Sequence, residues 1–180
     1  DGGADAGARG IAVAGFRGEV ADLKAALAAV AGVEGDAGVS VQLLDASRVH
    51  GAEHLAAAHR AAVRAMAAGR GRADSLKVEL VRYAAGMHQI GEALSFMGIG
   101  KGKGAAESIA AVAWTGGGGG RTDADAALSL LGQRLGWTRD DAVLTGERDV
   151  LRAFGVTDEE GDLGGEENGL GLILERVAMA

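Results

Sequence analysis

A chain of 180 residues can bury roughly 70% of the surface its unfolded form would expose, which favours one domain. It has no cysteine, so disulfides, thiol nucleophiles and sulfur-ligated metals are excluded, and with two Trp, one Tyr and three Phe the core must be packed by Ala, Val, Leu and Ile. The net charge of -7 argues against broad, nonspecific attraction to nucleic acid or acidic membranes.

Residues 1–9 read as a loose lead and 10–180 as a single domain. Ile11 to Phe16 is a first strand, and Val20, Leu23, Leu27 and Val30 recur at helical spacing, giving a helix to about Gly32. After the turn-rich stretch Gly35 to Gly38, Val39, Val41 and Leu43 alternate as a half-buried strand should, and Asp45-Ala46-Ser47 closes it. Ala52 to Ala68 is helical, with Leu55, Ala58, Ala62 and Met66 as its apolar stripe and Glu53, Arg60 and Arg64 away from it. Asp74 or Ser75 can cap the next helix, whose Leu76, Leu80 and Ala84 face the core and which Gly86 ends. Ile90, Ala93, Leu94 and Met97 then space a second amphipathic helix.

Gly98 to Gly104 is a loop carrying Lys101 and Lys103, Ile109 to Trp114 a buried strand, and Gly116 to Gly120 a flexible link. A helix over about 123–135, a short one over about 149–154 and a terminal one from Leu170 complete the chain. In the last, Leu170, Ile173, Leu174 and Val177 share a face that docks on the body, while Leu172 and Met179 lie on another. The class is mixed α/β: a small mixed sheet of about three to four strands flanked by helices. No stretch approaches the roughly 20 apolar residues of a membrane span, and the start lacks a secretory layout, so a cytoplasmic protein is expected.

Three patterns hint at chemistry and fall short of it. His50-Gly51-Ala52-Glu53-His54 has the H-x-x-E-H spacing of a zinc site, but Gly51 after a strand and loop makes His50 a turn residue. The run from Gly98 to Gly104 lacks the first glycine and the Ser/Thr of a phosphate-binding loop. None of Ser75, Ser95, Ser108 and Ser129 has a Gly-x-Ser-x-Gly setting. No catalytic residue, metal or cofactor is therefore expected.

Charge is distributed unevenly. Between Arg60 and Lys103, eight basic residues face three acidic ones, an excess of five that leaves the remainder at -12. Arg60 and Arg64 are one turn apart, and Arg70, Arg72, Lys77, Arg82 and His88 follow in adjoining elements. Arginine grips phosphate through a planar fork, and Tyr83 or His88 could stack on an unpaired base.

The stretch Ser75-Leu-Lys-Val-Glu79-Leu-Val-Arg82-Tyr83-Ala-Ala-Gly86-Met-His88-Gln89-Ile90, followed by Gly91 to Met97, resembles the archaeal-type PRPK-binding protein (Cgi) family, the smallest subunit of the KEOPS complex. That complex makes threonylcarbamoyladenosine in tRNA. His88 stands where the family carries arginine. Gln42-Leu43-Leu44-Asp45, Glu53-His54-Leu55 and Leu174-Glu175-Arg176-Val177-Ala178 extend the resemblance over Gly18 to Met179. It implies a noncatalytic subunit that binds the atypical kinase/ATPase subunit and captures the 3' CCA end of tRNA. Ser75, Lys77, Arg82, His88 and Gln89 would then lie near the RNA, joined by Arg60, Arg64, Arg72 and Tyr83 on the grounds of charge and stacking. Leu172, Ile173, Val177 and Met179 would face the kinase. The alternative is a protein-only adaptor whose arginines serve solvation.

Overall fold

Three segments carry short apolar runs, alternating over residues 39–43, and six others repeat apolar residues every three to four positions, and the secondary structure follows that division. In the computed structural model, which describes residues 10–101, 106–116, 121–144, 151, 154 and 166–180, the order is β1 (Ile11–Glu19), α1 (Leu23–Ala37), β2 (Val39–Asp45), α2 (Ala52–Ala67), α3 (Leu76–Ala85), α4 (Ile90–Met97), β3 (Ala106–Thr115), α5 (Arg121–Leu135), β4 (Thr138–Arg139) and α6 (Glu166–Met179). Single 3-10 turns occupy Ala46–Arg48 and Asp141–Leu144. The lead over 1–9, the helix expected over about 149–154 (apart from residues 151 and 154), residues 102–104 of the basic loop and 117–120 of the glycine link lie outside the described residues.

The chain groups into two compact units, Asp1–Asp45 with Ile99–Val143 and Ala46–Gly98 with Leu144–Ala180. The first holds a four-stranded sheet in the order β2-β3-β1-β4, and every pairing is antiparallel. Since β1 and β2 both pair antiparallel with β3, they run parallel to each other with β3 between them, and α1 is the crossover. The mixed α/β class expected from the sequence is the one observed.

One parity of the strands makes the core of this unit. Ala12, Ala14 and Phe16 of β1, Val39, Val41 and Leu43 of β2, and Ile109, Ala111 and Ala113 of β3 meet Ala26, Val30 and Val33 of α1 and Ala124, Leu128 and Leu131 of α5. Small residues let the helices approach closely. A Cβ at Gly132 of α5 would lie 2.6 Å from the Phe16 ring.

Helix α1 departs from expectation in two ways. It begins at Leu23, capped by Asp22 Oδ1, which accepts the Ala25 N–H at 3.2 Å, and it continues through Gly32 and Gly35 to Ala37 before Gly38 turns left-handed at φ 65°. Burial of Val33 outweighs the roughly 1 kcal/mol that each internal glycine costs. The inward face is Ala26, Val30 and Val33; Leu23 and Leu27 are 43% and 53% exposed. In an alanine-rich helix, alanine occupies the core face as readily as leucine.

In the second unit, α2 packs on α3 and α6, and α3 on α4 and α6. Leu55, Ala58 and Ala62 of α2, Leu80 and Ala84 of α3, Ala93 and Met97 of α4, and Ile173 and Val177 of α6 are buried as their spacing requires, whereas Met66, Leu76, Leu170 and Leu174 of the expected stripes are half-buried and Leu94 is 43% exposed. Helix α6 starts at Glu166, earlier than expected, despite Gly169 and Gly171.

Candidate functional site

Helix α3 organises the segment that the sequence singles out. Ser75 caps it, its Oγ accepting the Val78 N–H at 3.3 Å, and Gly86 ends it at φ 63°. A left-handed residue there lets the Met87 N–H reach back to the Arg82 carbonyl at 3.2 Å. Arg176 of α6 lies alongside, its Cβ 3.4 Å from where a Gly86 Cβ would sit.

Inside this helix, Glu79 and Arg82 are 0% and 1% exposed. Glu79 Oε1 accepts from Arg82 Nη2 at 2.6 Å and Nε at 3.2 Å, and its Oε2 accepts the Ala73 and Arg72 N–H groups at 2.9 and 3.2 Å. The remaining guanidinium nitrogen, Nη1, donates to the Met87 carbonyl at 3.3 Å and the Ala180 carbonyl at 2.5 Å. Burial pushes the Glu79 carboxyl up, but hydrogen bonds from Arg82 and the two amides outweigh it and hold the group below its ordinary value. Burial lowers Arg82 and the Glu79 carboxylate more than restores it, leaving it above its ordinary value. The Tyr83 ring lies under the same guanidinium, 4.5 Å from its centroid.

Beside this pair, His54 of α2 is fully buried. Its Nδ1 accepts the His50 N–H at 3.0 Å, so Nε2 carries the proton and donates to the Ala84 carbonyl at 2.8 Å. Burial, reinforced by His50 and partly opposed by the Ala84 bond, lowers its pKa to about 4. With both ring nitrogens occupied, His54 offers a metal nothing, and the described residues contain no cluster of three or more metal-ligating side chains. Phe154 meets the His54 ring edge-on at 5.3 Å and the Phe96 ring at 5.6 Å, and Arg48 lies over Phe96 at 4.7 Å.

The residues expected to meet RNA therefore divide. Arg82 is interior, its fork already filled, and Tyr83 is half-buried against it. Arg60 is paired with Glu53 on the same helix. Ser75 is exposed but its hydroxyl caps α3, and Lys77 is half-buried. Arg64, Arg72, His88 and Gln89 are exposed. Arg72 precedes α3 and His88-Gln89 follow it, so these polar groups flank a ten-residue helix about 15 Å long.

The partner face divides as well. Ile173 and Val177 point into their own unit at 0% and 3% exposure, whereas Leu172 is half-buried and Met179 is 70% exposed. Of the four expected kinase contacts, Leu172 and Met179 thus remain accessible on α6 and Ile173 and Val177 do not. Glu79 is a core group that charge counting along the chain does not single out. Its signal is an acidic residue one turn before Arg82 on a helix otherwise apolar on that side.

No helix of the described residues is long and apolar enough to cross a membrane. No curated protein matches the chain. The family model of the kinase binding protein CGI-121 matches residues 19–179, nearly the whole chain, and spans every helix of the second unit together with strands β2, β3 and β4. This protein belongs to the CGI-121 kinase binding protein family.

Proposed function

We propose that this chain is a noncatalytic adaptor of the tRNA threonylcarbamoyladenosine-modifying (KEOPS) complex, which binds the atypical kinase/ATPase subunit through the outer face of α6 and recruits tRNA by its 3' CCA end. The observation that carries the kinase half is the family match over residues 19–179. The outward Met179 and half-buried Leu172 supply the apolar contacts such an interface needs. The RNA half draws support from the local excess of positive charge and from the exposure of Arg64, Arg72, His88 and Gln89. Arg72 contributes charge to phosphate, and His88 a flat ring on which an unpaired base stacks.

A protein-only adaptor is favoured by one specific observation: Glu53 and Glu79 engage two of the arginines otherwise assigned to RNA. The two readings separate in a titration with intact and CCA-trimmed tRNA over a salt series. Recruitment through the CCA end gives binding that weakens with salt and is lost on trimming. Equal affinity for the two RNAs leaves the protein-only adaptor.

A further inference from the structure

We infer that the buried Glu79–Arg82 pair is a positioning unit that ties the end of α6 to the loop preceding α3, so that a protein held on α6 and an RNA held by that loop favour each other's binding. The inference rests on the functional reading above and adds a coupling between its two halves.

The physical path is short and lies wholly within the second unit. At one end, the Ala180 carbonyl, directly after the outward Met179, accepts from Arg82 Nη1. The same nitrogen donates to the Met87 carbonyl, one residue before His88. In the middle, two other nitrogens of that rigid fork bind Glu79 Oε1. At the far end, Glu79 Oε2 holds the N–H groups of Arg72 and Ala73. Three separate backbone segments therefore share two side chains. Because the guanidinium is planar, it cannot follow a shift of residue 180 without turning against the carboxylate that fixes Arg72. A partner packed over Met179 immobilises the end of α6, and with it the backbone that presents Arg72 and His88. The RNA then pays less of the ordering cost, and by linkage it returns the same factor to the partner.

The test measures the coupling factor rather than either affinity. The kinase/ATPase subunit is titrated into the full chain with and without saturating tRNA, and tRNA with and without saturating subunit. Wild type is expected to show the same enhancement, about fivefold or more, in both directions. Arg82→Lys keeps the charge but lacks the fork that reaches Glu79, Met87 and Ala180 together, and it brings the factor to about one. Circular dichroism confirms the fold. Where the lysine variant fails to fold, Glu79→Gln, which keeps the shape and weakens the fork contact, serves the same purpose. A factor of one in wild type, or an undiminished factor in the folded variant, overturns the coupling while leaving both binary interactions standing. Absence of any tRNA binding by wild type removes the RNA half of the functional reading, and the coupling with it.

Discussion

His54 donates its Nε2 proton to the Ala84 carbonyl at 2.8 Å, joining α2 to α3, while its Nδ1 accepts the His50 N–H, so only the neutral imidazole makes both bonds. Burial lowers its pKa to about 4, against an ordinary value of 6.5. In the unfolded chain it takes up a proton as the pH falls below 6.5, whereas in the folded chain it resists until about 4. Its stabilising contribution is complete above 6.5 and is lost as the pH falls through that window.

The expected outcome is a loss of unfolding free energy on acidification, approaching about 1.4 kcal/mol per pH unit from this group alone. His50 and His59, both also lowered chiefly by burial, act in the same direction. Urea titrations of wild type and His54→Gln at several pH values isolate the His54 share. The stability gap between the two should narrow as the pH falls; a constant gap would mean that His54 is not held neutral.

Arg82→Met strands a buried carboxylate. Because Glu79 then lacks its charge partner, a loss of about 3–5 kcal/mol is expected in urea unfolding at neutral pH. Glu79 itself sits below its ordinary value, so its contribution is present above the usual carboxylate range and fades as the pH drops through its folded value. The penalty of Arg82→Met should accordingly shrink in acid, where the stranded carboxylate can take a proton.

Edge strand β2 is guarded by a side chain of the preceding helix. Glu34 Oε1 accepts the Val41 N–H at 2.8 Å, and the Gln42 amide donates to the Leu43 carbonyl at 2.9 Å. Glu34→Ala frees a backbone donor at the sheet edge, costing about 1 kcal/mol and opening the strand to pairing with another copy. Light scattering over a concentration series should show self-association in the variant beyond that of wild type.

The reassigned inner face of α1 yields a paired expectation. Val33→Ala empties a fully buried position and should cost about 2 kcal/mol, whereas Leu27→Lys on the exposed side should stay within about 0.5 kcal/mol. Denaturant midpoints of the two variants decide between this face and the one expected from leucine spacing.

These cases show where the sequence is readable. The stripes of α2, α3 and α4 are plain in it because Leu55, Leu80 and Met97 recur at helical spacing among polar residues, and all three are buried. Helix α1 is ambiguous because alanine and valine compete with leucine for the core, and the packing of α5 settles which face wins. The two residues of β4 carry no periodicity at all; Thr138 and Arg139 become a strand only by pairing with Arg17 and Phe16. In the candidate site, exposure of His88 and Gln89 follows from their place after a helix-ending glycine. The burial of Arg82 does not follow, because an arginine one turn after a glutamate reads equally as a surface pair or a core clasp. Ile173 and Val177 illustrate the converse: their spacing marks a docking face, and the chain itself fills it.

The most direct test of the central claim is the affinity of the kinase/ATPase subunit for wild type and for Met179→Glu, measured by calorimetry alongside thermal unfolding of each. Met179 is 70% exposed, so its replacement should leave the unfolding midpoint unchanged while weakening the complex at least tenfold, about 1.4 kcal/mol. Undiminished affinity in the folded variant would contradict the assignment of the outer face of α6 as the kinase-binding surface.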